Sequence, residues 1–149
     1  MDEIKKILFV CQGNTCRSPM AKGLALHYFQ NSSRDLLVDS AGISESSKKH
    51  RKATPEAVTE MKKRGFDLSM HRSRHVSELK GHFDFVISMT PSIHDYLQKN
   101  HPNLGTKFIA WNIPDPYDFL GTAQAAKVYA DTAESIWEHF RNFVNQELW

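Results

Sequence analysis

Four short apolar runs alternate with helical stripes along this chain, and that alternation constrains its fold more than any other feature. The runs are IKKILFV (4–10), LLVDSA (36–41), FDFVISM (83–89) and, less sharply, KFIAW (107–111). Runs this short and this apolar read as strands buried on both faces. After Pro19, Met20, Ala21, Leu24, Ala25, Tyr28 and Phe29 share one stripe at helical spacing. PEAVTEMKKRGF predicts a second helix, ended by Gly65, and PSIHDYLQKN a third. A long final helix is expected from about Thr122, with Tyr129, Ala133, Ile136, Phe140 and Phe143 on one side. The pattern predicts an α/β fold: a central four-stranded parallel sheet with helices on both faces, a three-layer sandwich. The 149 residues suit one domain, spanning 1–149, with no internal linker.

Three helix starts share one chemistry: Ser18-Pro19, Thr54-Pro55 and Thr90-Pro91. In each, the hydroxyl is expected to cap free amides while proline opens the helix without losing a hydrogen bond.

Bulk composition narrows the function. A net charge of +2 gives no reason to expect nucleic-acid binding, so any positive patch must be local. No apolar stretch approaches the roughly 18–20 residues needed to cross a bilayer, and MDEIKKILFV lacks the apolar core and cleavage site of a leader peptide. Two cysteines do not make a disulfide framework, so a reducing, cytoplasmic setting is expected.

Both cysteines fall in FVCQGNTCRSPMA (9–21), at the junction of the first strand and first helix. In parallel sheets, sites form at the carboxyl ends of strands. Cys11 and Arg17 stand in the relation C-x5-R. Gly13 and Asn14 are the residue types that most readily take left-handed backbone angles, and a loop bent that way turns its amides inward as a nest for an anion. The following helix aims its positive end at the same place. Amides, helix terminus and Arg17 favour a thiolate at Cys11, and Ser18 can donate its hydroxyl to it. Arg17 presents a planar fork matched to two phosphate oxygens. Gln12, Gly13, Asn14, Thr15, Cys16, Arg17 and Ser18 together form the expected phosphate cradle. Neither G-x-x-x-x-G-K-[ST] nor G-x-G-x-x-G occurs, which disfavours nucleotide binding.

VCQGNTCRSPMA closely resembles the phosphate-binding loop of the low-molecular-weight protein tyrosine phosphatases. The resemblance extends through DSAG (39–42), HRSR (71–74), FDFVISM (83–89) and IPDPYD (113–118). It implies a flavodoxin- or Rossmann-like sandwich and hydrolysis of phosphotyrosine through a phosphocysteine. Cys11 would be the nucleophile, Arg17 the phosphate clamp and Asp115 the general acid and base. Pro116 biases Asp115 toward extended backbone and Pro114 stiffens its approach, which suits a carboxyl group held in one direction. Asp118 is the alternative acid. Asn14, Ser40 and His71, with Ser18, match positions that support the loop, and Tyr117 is the expected ring-stacking wall. The implied partners are phosphorylated proteins and inhibitory oxyanions such as phosphate and vanadate. The implied assembly is a monomer or weak dimer.

The resemblance implies no cofactor. His71 and His75 have helical ligand spacing, but no third metal ligand is apparent. Cys16 is either packing or a partner able to trap oxidised Cys11 as a disulfide. The run KKHRK (48–52) reads as a solvated loop or as a steering surface for acidic partners. Thr15 departs from the aliphatic residue common in phosphotyrosine enzymes and resembles the branch acting on phosphoarginine. Protein-arginine phosphatase activity is therefore the alternative. Arsenate reduction on this scaffold needs downstream cysteines to relay electrons, and none follows Cys16. A silent phosphopeptide-binding module could dispense with the nucleophile or the acid, yet Cys11, Arg17 and Asp115 are all present.

Overall fold

The computed structural model describes residues 4–30 and 36–148; the start of the N-terminal stretch weighed above as a leader lies outside them. Four strands, β1 (Lys5–Cys11), β2 (Leu36–Gly42), β3 (Phe83–Ser88) and β4 (Gly105–Ala110), pair in parallel in the order β2-β1-β3-β4. Among the described residues, four α-helices, α1 (Arg17–Phe29), α2 (Pro55–Lys63), α3 (Pro91–Asn100) and α4 (Ala125–Glu147), complete the α/β sandwich.

The place of β1 inside the sheet explains its composition. Ile7, Leu8, Phe9 and Val10 are all fully buried. Ile7, Phe9 and Cys11 join the core with Met20 and Leu24 of α1, Met61 of α2 and Ile136 and Phe140 of α4. Leu8 and Val10 join the opposite core with Val86 of β3 and Ile93 and Leu97 of α3. The Phe9 ring lies 5.7 Å from Trp111 and 6.2 Å from Phe140, tying β1 to α4 and to the segment after β4. Burial of each such side chain contributes about 1.5–3 kcal/mol. The chain leaves β1 for β2 on one side, while β3 pairs on the other. The topological switch point therefore falls at the carboxyl end of β1, at Cys11.

The shared helix-start chemistry holds at one position of three. Thr90 caps α3, its Oγ1 accepting from the Ile93 amide at 3.3 Å. Thr54 precedes α2 but makes no side-chain cap; its hydroxyl turns inward to Tyr129 at 3.4 Å. Helix α1 begins two residues early, at Arg17, with Cys16 at the cap position, which places Ser18 inside the first turn with a different task. Gly65, at φ +92°, follows the end of α2, as expected of a residue free to enter the left-handed region. Helix α4 starts at Ala125, not Thr122, because the Thr122 hydroxyl donates to the Phe119 carbonyl at 2.7 Å and closes a turn there. The segment 71–74 is not helical, so His71 and His75 do not share a helix face.

Candidate active site

Residues 11–18 wrap around the carboxyl end of β1, and one residue carries the unusual conformation. Asn14 has φ +59°. Gly13 lies outside the left-handed region, contrary to expectation. Left-handed backbone at a non-glycine residue persists only where the surroundings over-determine it, and Asn14 is tied at four points. Its Oδ1 accepts from the Arg74 amide at 2.8 Å, and its Nδ2 donates to Ser18 Oγ at 2.8 Å and to Ser40 Oγ at 3.0 Å. His71 Nε2 donates to its carbonyl at 2.7 Å. Segments 40 and 71–74 thus act on the loop through one fully buried residue, Asn14, by its side chain and its carbonyl. Glycine is required in DSAG because a Cβ at Gly42 would lie 2.7 Å from the Gln12 carbonyl oxygen and 3.1 Å from the Asn14 amide.

The Cys11 sulfur receives two donors. The Asn14 amide points to it at 3.2 Å, and Ser18 Oγ lies 2.9 Å away. Asn14 and Ser18 do not line the cavity above the sulfur; they work from behind it. That cavity, of about 260 Å³, is walled by Cys11, Gln12, Gly13, Thr15, Cys16 and Arg17, with Asp115 and Tyr117 from the loop after β4. Arg17 is 4% exposed and spans the two halves: its Nη1 donates to the Ile113 carbonyl at 2.9 Å, and its Nη2 pairs with Asp115 Oδ2 at 3.3 Å. Asp115 is 44% exposed and oriented by the Tyr117 amide, which donates to Oδ1 at 3.0 Å. Asp118 is exposed and does not line the cavity.

Cys16 differs from Cys11 in its surroundings. Burial pushes its thiol above the ordinary range, outweighing the hydrogen bonds to Tyr129, Thr54 and Thr15 that act the other way. Tyr129 is itself fully buried, and burial raises its phenol in turn. Its hydroxyl lies 3.4 Å from Cys16 Sγ and 3.4 Å from Thr54 Oγ1, so α2 and α4 meet directly beneath the loop. His71 is shifted down, chiefly by burial, against the opposing effect of its bond to Asn14; it is the neutral Nε2–H form that fits this geometry. His75 turns away, its Nε2 donating to the Ile43 carbonyl at 3.1 Å. Among the described residues, no group of three or more His, Cys, Asp or Glu side chains could hold a metal ion.

Sequence reasoning missed Arg51, Arg74 and the Thr54–Tyr129 pair. Arg51 lines the cavity with Ser44 and Ser46, and its Nη2 reaches the Tyr117 hydroxyl at 3.4 Å. Its signal lay in KKHRK, and neither reading of that run, a solvated loop or a steering surface, places Arg51 in the cavity wall. Arg74 contributes a backbone amide, for which no side-chain pattern exists. Tyr129 was legible only as a core position on the α4 stripe.

Comparison with known proteins agrees with this geometry. Residues 6–148 match the family described as low molecular weight phosphotyrosine protein phosphatase. The chain is 36% identical over 121 residues, 76% of its own length and 79% of the relative's, to a probable low molecular weight protein-tyrosine-phosphatase EpsP of Ralstonia nicotianae. It is 39% identical over 84 residues, 56% of its length and 55% of the relative's, to the protein-arginine-phosphatase of Bacillus subtilis. The crystal structure of a low molecular weight protein tyrosine phosphatase from T. tengcongensis superposes with a TM-score of 0.80 at 31% identity, covering 95% of this chain and 99% of that one. A switch-point cysteine under two donors, an arginine spanning the cavity and a match along nearly the whole chain agree: this protein belongs to the low molecular weight phosphotyrosine protein phosphatase family.

Proposed function

We propose that this chain hydrolyses phosphotyrosine in proteins through a phosphocysteine intermediate. The observation that carries the reading is the Cys11 sulfur, under donors from Asn14 and Ser18, at a cavity bounded by Arg17 and Asp115. The phosphate dianion would rest on amides of residues 12–18 and on the Arg17 guanidinium, while the Asn14 amide stays with the sulfur. Binding draws Arg17 onto the phosphate and frees the Asp115 carboxyl group to carry a proton. The thiolate attacks phosphorus, a P–S bond forms, and the ester P–O bond breaks as Asp115 protonates the departing phenolate oxygen. Asp115 then takes a proton from water, whose oxygen attacks phosphorus. The P–S bond breaks, and thiolate and inorganic phosphate are released. Tyr117, 40% exposed, supplies a ring at the mouth for the substrate's own ring.

Thr15 favours a second reading, phosphoarginine hydrolysis. It lines the cavity, and the relative from Bacillus subtilis bears that activity in its name. Phosphate release from phosphotyrosine and phosphoarginine peptides, with the wild type and Thr15→Ile, separates the two. Preference for phosphotyrosine in both supports the first reading; a preference for phosphoarginine that Thr15→Ile reverses supports the second. Cys11→Ser should abolish turnover on both.

Cys11 and Cys16 are both free thiols, and the reading includes a reducing, cytoplasmic setting. Peroxide would oxidise Cys11 first, and Cys16 would trap it as a disulfide. Mass spectrometry showing Cys11 overoxidised with no Cys11–Cys16 link would refute that role.

A further inference from the structure

The cavity opens beside a strip of cations for which the reaction chemistry has no use. Residues 48–52 read Lys-Lys-His-Arg-Lys and are all exposed. A second segment is laid against them: the Ser73 amide donates to the Arg51 carbonyl at 2.8 Å, the Arg51 amide donates to Ser73 Oγ at 2.8 Å, and Ser73 Oγ donates to the Ser47 carbonyl at 2.9 Å. This lacing sets exposed Arg72 beside the run. Local acids offset part of the charge: Glu45 pairs with Lys48 at 3.1 Å, Glu78 faces His50 at 3.3 Å, and Asp39 holds Arg74. Lys49 and Lys52 have no partner among the described residues, the Arg72 guanidinium hydrogen-bonds only the His71 carbonyl, and the Arg51 guanidinium only the Tyr117 hydroxyl. Four uncompensated cations therefore stand together on a chain whose whole net charge is +2.

Arg51 belongs to both the strip and the cavity wall. A phosphorylated side chain seated in the cavity must lay its own flanking residues near that wall. Extended chain advances about 3.3 Å per residue, so positions a few residues from the phosphorylated one come over the strip. We propose that Lys49, Arg51, Lys52 and Arg72 form a docking strip for acidic residues flanking the phosphorylated residue of a protein substrate. The proposal rests on the phosphatase reading and adds a sequence preference to it. A polypeptide is favoured over a membrane or nucleic acid because the strip is continuous with a cavity sized for one side chain. Its contribution is long-range attraction that speeds encounter and weakens as salt shortens the screening length to about 8 Å at physiological ionic strength.

The test compares two phosphotyrosine peptides, one with glutamates on both sides and one with serines, on the wild type and the triple variant Lys49→Glu, Lys52→Glu, Arg72→Glu. Arg51 is left intact because it lines the cavity. The expected kcat/KM is about tenfold higher for the acidic peptide at low salt, falling as salt rises. The triple variant should lose that preference while its turnover of p-nitrophenyl phosphate stays unchanged. Failure to hydrolyse p-nitrophenyl phosphate would count against the phosphatase reading alone. The strip would then be read by fluorescence anisotropy of the labelled acidic peptide, expected to bind the wild type and not the variant. Equal kcat/KM for both peptides, or a preference that survives in the variant, overturns the proposal. So does loss of binding to phosphatidylserine vesicles or to single-stranded DNA in the variant with the peptide preference unchanged.

Discussion

The Ser18 hydroxyl lies 2.9 Å from the Cys11 sulfur and donates to it when that sulfur is a thiolate, which has no proton to give in return. Asn14 Nδ2 donates to Ser18 Oγ at 2.8 Å and takes one of its two lone pairs, and the hydroxyl proton has the sulfur at 2.9 Å and the Ala41 carbonyl at 3.4 Å within reach. The orientation of Asn14 is itself fixed, because only its Oδ1 can accept from the Arg74 amide. The sulfur thus lies within hydrogen-bond reach of the Asn14 amide and the Ser18 hydroxyl in a buried site.

Ser18→Ala removes one of these donors and leaves the cavity walls in place. A hydrogen bond to a charged group contributes about 1.5–3 kcal/mol, so kcat should fall roughly 10- to 100-fold with KM little changed. Alkylation of Cys11 by iodoacetamide at neutral pH should slow in parallel, which a merely structural serine would not cause.

Asn14→Ala should be costly to stability as well as to activity. Alanine at φ +59° carries about 1–2 kcal/mol of strain, and the Arg74 amide and the Ser18 and Ser40 hydroxyls lose a partner. A total loss of about 2–4 kcal/mol is expected by urea unfolding. Asn14→Gly, free of the strain, should fall between the two, and equal stability for the alanine and glycine variants would contradict this account.

Asp115→Asn should depress turnover most for poor leaving groups. An amide keeps the shape of the side chain but supplies no proton. Rates on aryl phosphates with acidic phenols should fall little, and those with alkyl-substituted phenols should fall about 10²–10⁴-fold. The same series with Asp118→Asn should be flat, because Asp118 lies outside the cavity.

His71 makes the fold acid-sensitive. Burial holds it below its usual value of 6.5, so the folded state favours the neutral ring more than the unfolded chain does. Its contribution is complete above the unfolded value and is lost as pH falls from about 6.5 through the lowered folded value. His71→Gln keeps a donor for the Asn14 carbonyl and removes the titration. Urea midpoints between pH 7.5 and 5 should fall less steeply for this variant than for the wild type. His101, also lowered by burial, titrates in both proteins and cancels in the comparison.

The sequence made local chemistry legible and left tertiary meetings hidden. Cys11 through Ser18 are contiguous, so composition alone exposed a candidate anion loop, and the strand runs lay within two residues of the observed strands. The shared Ser/Thr-Pro signal misled at Ser18 and Thr54 because each hydroxyl found a tertiary partner, Cys11 for one and Tyr129 for the other. A capping pattern cannot register such competition. Gly13 and Asn14 are both expected to bend the loop, and the left-handed angle falls on Asn14 alone, whose side chain can be anchored. Arg51 and Tyr129 reach the site from 40 and 118 residues past Cys11, through the packing of the second and fourth helices and the loops beside them. No window of sequence contains those meetings.

The most direct measurement traps the intermediate. Asp115→Asn, mixed with a phosphotyrosine peptide, quenched in acid within milliseconds and digested, should yield one phosphoryl group on the peptide containing Cys11, identified by mass spectrometry. The adduct should be absent from Cys11→Ser. Turnover without a phosphorylated Cys11, or activity retained by Cys11→Ser, would contradict the account.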